Sequence, residues 1–72
     1  MIRLVVNYPG GIDSERDRAI EDIVGQKPKG SGCMMSGERD IDFEFDDVGE
    51  AVAAEQRLRD NLCGLEIEVL AE

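Results

Sequence analysis

The sequence contains no histidine and no tryptophan, and cysteine occurs at only two of its 72 positions. Without histidine a Ser-His-Asp triad is impossible, and a nucleophilic cysteine would lack an imidazole base. Cys33 and Cys63 lie far apart in the chain, without the close second ligand that a zinc site requires. We therefore predict no catalytic residues, no metal site and no cofactor, and we do not expect an enzyme.

Basic residues and long apolar runs are also scarce. Eight Lys and Arg stand against 17 Asp and Glu, for a formal net charge of −9. This charge repels phosphate backbones and anionic lipid headgroups, so we expect no direct binding of nucleic acid or membrane. The longest apolar runs, at residues 4–6 and 51–54, are far too short to span a bilayer. We expect a cytoplasmic protein whose thiols stay reduced.

The sequence nevertheless holds enough apolar residues to fold. Hydrophobic residues make up 42% and charged residues 35% of the chain, in regular patterns typical of a globular protein. The length predicts one domain over residues 1–72. A chain of this size buries only about 60% of its unfolded surface, so dimerisation would add to a small core.

The N-terminal half predicts a strand, a helix and a loop. Residues 2–8 alternate with the period of a strand, and a Pro-Gly-Gly sequence ends it. Helical apolar spacing then runs to Gly25, behind a capping-box variant formed by Ser14 and Asp17. Lysine, proline and glycine make residues 26–32 a predicted loop.

The C-terminal half predicts two strands, a helix and a final strand. Residues 33–35 form a short strand, and a turn leads back into a strand over residues 39–46. Asp47 caps a helix whose apolar stripe ends near Gly64. Residues 65–70 alternate again and predict the closing strand.

The order strand, helix, strand, strand, helix, strand resembles the ferredoxin-like βαββαβ family of small domains. The resemblance is topological and implies an α+β two-layer sandwich with an antiparallel sheet of strand order 4-1-3-2. Right-handed crossovers put both helices on one face of the sheet and leave the other face open. RNA-recognition motifs use that face with aromatic and basic residues, which this sequence does not place there.

The topology also predicts that the cysteines are not bridged. Cys33 is expected to begin the second strand and Cys63 to end the second helix, at opposite ends of the sheet. A disulfide needs Cα atoms within about 7 Å, so we expect none. If a dimer forms, the short second strand is a candidate edge, because Met34 or Met35 must point outward.

Acidic residues are concentrated on the predicted open face. If the apolar residues of the third and fourth strands face the helices, the alternate positions expose carboxylates to the other side. The six predicted partner-binding residues are Asp40, Asp42, Glu44, Asp46, Glu66 and Glu68. A weaker prediction concerns Lys27 and Lys29, which lie in one glycine-containing loop and could hold an anion.

These observations leave three hypotheses for function. The first is a small acidic, non-enzymatic interaction or regulatory module that self-associates and binds a protein with a basic surface. The second is an acidic inhibitor that mimics nucleic acid and occupies the basic groove of its target. The third is a small-ligand-binding domain or enzyme, which ranks last because no nucleophile, base or cofactor motif is present.

Overall fold

The structure, a computed structural model, describes residues 1–33 and 35–71. Its elements follow the predicted order of strand, helix, strand, strand, helix, strand. They are β1 (Ile2–Tyr8), α1 (Ser14–Val24), β2 (Gly30–Cys33), β3 (Arg39–Phe45), α2 (Val48–Asn61) and β4 (Glu66–Ala71). No helix in this part of the chain is long and apolar enough to cross a membrane.

The four strands form one antiparallel sheet with the order β2-β3-β1-β4. This is the predicted 4-1-3-2 order, so the α+β class and the strand arrangement are confirmed. In the central strand, Val5 lies opposite Asp42 of β3 on one side and Glu68 of β4 on the other. Asn7 lies between Asp40 and Glu66 in the same way.

The core lies between the helices and one face of the sheet. Along β1 and β3, buried residues alternate with half-buried ones, as expected when one face of a sheet is covered. Leu4 and Phe43 are fully enclosed at the centre of this layer. The remaining core residues are Val6, Tyr8, Ile20, Val24, Ile41, Phe45, Ala51, Ala54, Leu58 and Ile67.

Hydrogen-bonding groups hold the helix ends. Asp13, not Ser14, caps α1: its carboxylate accepts from the backbone N–H groups of Glu15 and Arg16. Asp47 caps α2 as predicted. The last turn of α1 contains no basic residue, and Arg57 of α2 supplies the cation by donating to the carbonyls of Ile23 and Val24 at 3.1 and 3.3 Å.

The second strand is placed differently from its prediction. It spans Gly30–Cys33 rather than residues 33–35; Met34 lies outside the described residues, and Met35 is a fully exposed turn residue. The glycines predicted a loop because they are breakers in isolation. As an edge strand, β2 is held in the sheet by its backbone pairing to β3, and it contributes no residue to the buried core.

This shift also changes where the cysteines lie. Cys33 ends β2 instead of beginning it, opposite Arg39, and β1 pairs Tyr8 with the same arginine. Cys63 comes shortly before β4, which starts opposite Asn7. Both cysteines therefore lie at the same end of the sheet, near its two opposite edges, and the predicted placement at opposite ends is wrong. No disulfide joins them, and both are exposed.

Candidate interaction surface

The sheet face away from the helices is called the open face below. It is formed by the strand residues that alternate with the buried ones. β1 contributes Arg3, Val5 and Asn7 to its centre, and these three residues are half-buried. The flanking positions are Gly30 and Gly32 of β2, Asp40, Asp42 and Glu44 of β3, and Glu66, Glu68 and Leu70 of β4. Five carboxylates thus share a surface with one arginine.

The register arranges the carboxylates in two rows. Along each strand, successive open-face residues are about 6.5 to 7 Å apart. The row on β3 and the row on β4 are separated by β1, so they lie two strand spacings apart, or roughly 9.5 Å. A partner meeting this surface would encounter negative charge on both sides of a narrow, partly apolar centre.

Few of these carboxylates are neutralised within the chain. Arg3 donates to Oδ2 of Asp42 at 2.8 Å, across the diagonal from its direct neighbour Glu44. Glu44 lies 3.8 Å from the ammonium of Lys29, a long contact whose lysine side chain is 70% exposed. Within residues 1–33 and 35–71, no ion pair involves the other three carboxylates of the face, Asp40, Glu66 and Glu68.

Among the residues that the structure describes, two side-chain oxygens of the open face are enclosed without a hydrogen-bond donor. They are Oδ1 of Asn7 and Oδ1 of Asp42. An enclosed acceptor without a partner costs about 1–3 kcal/mol. The other polar groups of this surface therefore do not satisfy these two acceptors.

The six residues predicted for partner binding are not all on the face. Five lie there together, whereas Asp46 follows the last residue of β3 and is exposed outside the strand. The two lysines of the predicted anion-binding loop contact different carboxylates: Lys27 lies 3.6 Å from Glu21 of α1, and Lys29 approaches Glu44 of β3. The structure does not bring the two ammonium groups to a common point.

A second charged cluster lies on the helix side and was missed from the sequence. Asp17 accepts from Nε and Nη2 of Arg39 at 3.2 and 3.0 Å, and the hydroxyl of Tyr8 donates to its other oxygen. The same hydroxyl accepts from the N–H of Asp13 at 3.1 Å, and Arg39 also donates to the carbonyl of Gly32 at 3.1 Å. This cluster joins β1, α1, β2 and β3.

The environment of the cluster shifts the pKa values of two of its groups, Tyr8 and Arg39. Burial, followed by the hydrogen bond to Asp17, raises the pKa of Tyr8 above its ordinary value of 10.0. The hydrogen bond to Asp17 raises the pKa of Arg39. Both shifts favour the protonated tyrosine and arginine that are present at neutral pH.

A shallow cleft of about 320 Å³ lies at the end of the sheet, where Asn7, Glu38 and Glu66 form part of its lining. Its lining includes no cysteine, serine, lysine or arginine. Among the described residues, no three Cys, Asp or Glu side chains converge into a group that could hold a metal ion.

Comparison with protein-family models, with curated proteins and with solved structures finds no match to this chain. The functional argument therefore depends on the geometry and charge of the open face.

Proposed function

We propose that this protein is a small, non-enzymatic interaction module whose open face binds a basic surface of another protein. The observation that carries the proposal is the charge of that face, where five carboxylates accompany a single arginine. Like charges on adjacent positions of a sheet destabilise it. A surface that keeps this excess of acid is explained by a partner that supplies the missing cations.

The shape of the face supports a macromolecular partner. It is an uncovered sheet surface rather than a cavity, and β1 places Val5 between the two acidic rows. At one end Leu70 is 38% exposed beside Arg3, so a partner would find apolar contact next to the charges. Protein interfaces combine such apolar contact with a charged rim that guides association.

The strand order and helix placement support assignment to the ferredoxin-like folds, which by itself implies no activity. The exposed, unbridged cysteines support a reducing, cytoplasmic location. Self-association stays a prediction. Two open faces would repel each other, so a dimer would have to use another surface.

One feature also favours the nucleic-acid-mimicking inhibitor as a second candidate. The two carboxylate rows run side by side about 9.5 Å apart, as two lines of negative charge flank a nucleic-acid groove. In that case the basic surface of the partner is its nucleic-acid-binding groove, and duplex DNA would compete with this protein for it.

An NMR titration tests the proposal. A peptide of alternating lysine, arginine and serine is added to the isotope-labelled protein, and amide shifts are followed at low and high salt. We expect changes on β1, β3 and β4, and weaker binding at high salt because the interaction is between exposed charges. Changes spread evenly over the helices would mean unspecific attraction and would reject the proposal.

Two variants with the same net charge provide the control. The face variant carries Asp40→Asn, Glu44→Gln, Glu66→Gln and Glu68→Gln. The helix variant carries Glu15→Gln, Asp22→Asn, Glu50→Gln and Asp60→Asn, all at exposed positions. We expect the face variant to lose about tenfold or more in affinity and the helix variant to bind like the wild type.

A further inference from the structure

Over residues 30–32, β2 forms an outer edge of the sheet that the described residues build. β2 is the first strand in the sheet order, and within residues 1–33 and 35–71 its strand partner is β3 alone. Ser31, the residue of β2 that lies opposite the buried Ile41, is itself exposed, so neither helix covers this edge. Edge strands present backbone N–H and C=O groups to an incoming chain unless something blocks them.

The open-face positions of β2 are both glycines. Gly30 lies opposite Asp42, and Gly32 lies opposite Asp40. A Cβ built on either glycine meets no atom within 4 Å, so the space above this strand is empty. Glycine within a strand is typical of places where another backbone or ligand approaches closely.

We propose that the edge of β2 accepts an extended basic segment of a partner protein as a fifth strand, with lysine or arginine at alternate positions. The new strand would lie two strand spacings, roughly 9.5 Å, from β3. Because Gly30 and Gly32 have no side chains, the long stems of lysine or arginine can extend over β2 to Asp42 and Asp40. The spacing of alternate residues, about 6.5 to 7 Å, is the same in the added strand and in β3.

This inference rests on the proposed function and names the form of the partner. Strand addition obtains its affinity from main-chain hydrogen bonds and its specificity from alternate side chains. In the added strand, the side chains on the helix side of the sheet would lie next to the exposed Ser31. They would therefore be polar as well. The expected ligand is therefore a hydrophilic, basic segment without an apolar face.

The two other occupants of a sheet edge fit less well. A second copy of this chain at β2 would bring two sets of carboxylates together with no cations between them. The other edge, β4, is backed on its helix side by the buried Ile67 and the half-buried Val69. A strand added there would extend an apolar layer and would need apolar residues of its own.

Peptides that differ only in their backbone test the proposal. The probe is an eight-residue peptide of alternating lysine and threonine. The control has the same sequence with N-methyl groups on alternate amides, which blocks strand pairing and keeps the charge. We expect the unmodified peptide to slow amide hydrogen exchange in β2 and the methylated one to bind about tenfold or more weakly. Equal affinities, or protection of β4 instead, would overturn the proposal.

Protein variants give an independent test. Gly30→Val with Gly32→Val fills the space above β2 and should weaken peptide binding about tenfold or more, whereas Ser31→Val changes the same strand on its other side and should not. Neither glycine has a positive φ, and valine favours strands, so both variants should fold.

The results also separate this inference from the proposed function. If the face variant loses binding while the valine variant and the methylated peptide do not, the open face binds cations without strand addition. If the face variant also binds normally, both proposals fail. A peptide-free dimer held by β2 would identify a second copy as the occupant and reject the basic segment.

Discussion

Two arginine–aspartate pairs lie on opposite sides of one sheet and differ in their surroundings. Arg39 and Asp17, on the helix side, have side chains only 13% and 22% exposed. Asp17 also accepts a hydrogen bond from the hydroxyl of Tyr8, and Arg39 also donates one to the carbonyl of Gly32. Arg3 and Asp42, on the open face, are 34% and 28% exposed and are joined by one contact. The first pair has its charges matched and enclosed; the second is one cation among five acids.

The difference separates charges that the fold itself satisfies from charges that the described residues leave unmatched. An enclosed pair is stable only when its remaining donors and acceptors are satisfied. The helix-side pair meets that condition. On the open face, an oxygen of Asp42 has no donor, and Asp40 beside it has no cation within the described residues. The variants below are chosen to test this contrast.

The largest effect is expected from Arg39→Met. It leaves the partly enclosed carboxylate of Asp17 without its cation and removes the bond to Gly32. We expect a loss of about 2–3 kcal/mol in the free energy of unfolding, measured by urea denaturation. The matched change on the other side, Arg3→Met, should cost about 1 kcal/mol or less. Equal losses would show that the two pairs do not differ as described.

Tyr8→Phe should have the next largest effect. The change removes a hydroxyl that donates to Asp17 and accepts from the N–H of Asp13, at a cost of about 1–2 kcal/mol. Because the folded state raises the pKa of Tyr8 above 10.0, its contribution is complete below pH 10 and is lost as the pH rises through the folded pKa.

The pH dependence can be measured directly. Tyr8 is the only tyrosine in the chain and no tryptophan is present, so tyrosinate absorbance reports this one group. Stability measured above pH 10 should fall in the wild type and should not show this component in Tyr8→Phe. A wild-type tyrosine titrating at its ordinary value would contradict the enclosure of the hydroxyl.

The smallest effect, and one of opposite sign, is expected from Asn7→Lys. The new ammonium would lie between Asp40 and Glu66 and relieve part of their repulsion. We expect a gain of about 0.5 kcal/mol that disappears at high salt. The same variant should bind the basic peptide more weakly than the wild type. A gain in stability without a loss of binding would separate the charge of the face from its function.

The sequence predicted the parts of the fold that depend on periodicity. β1 and β3 alternate strictly because one face of each is buried, and alternation along β3 and β4 predicts the five carboxylates now found together on the open face. Asp46 was included because it continued the pattern, although the strand ends before it. The class, the strand order and most of the candidate surface followed from these signals.

The missed features depend on contacts between elements. β2 has no apolar alternation, because an uncovered edge strand needs none, so its glycines predicted a loop. The sequence predicts Asp17 only as part of a helix cap, because it is the folded sheet that brings Arg39 and Tyr8 to it. The strand register points to this cluster, because it puts Tyr8 opposite Arg39 at the end of the sheet from which the chain enters α1.

The bond from Arg57 to the end of α1 has a consequence for how the molecule opens. The carbonyls of Ile23 and Val24 receive their donors from the other helix, not from a residue of their own turn. Detachment of α2 therefore removes the Arg57 donor from these two carbonyls, whereas the N–H of Gly25 still donates to the carbonyl of Glu21 within α1. We therefore expect local unfolding of α2 to weaken the last turn of α1 as well, although twenty-three residues of chain separate Val24 from Val48.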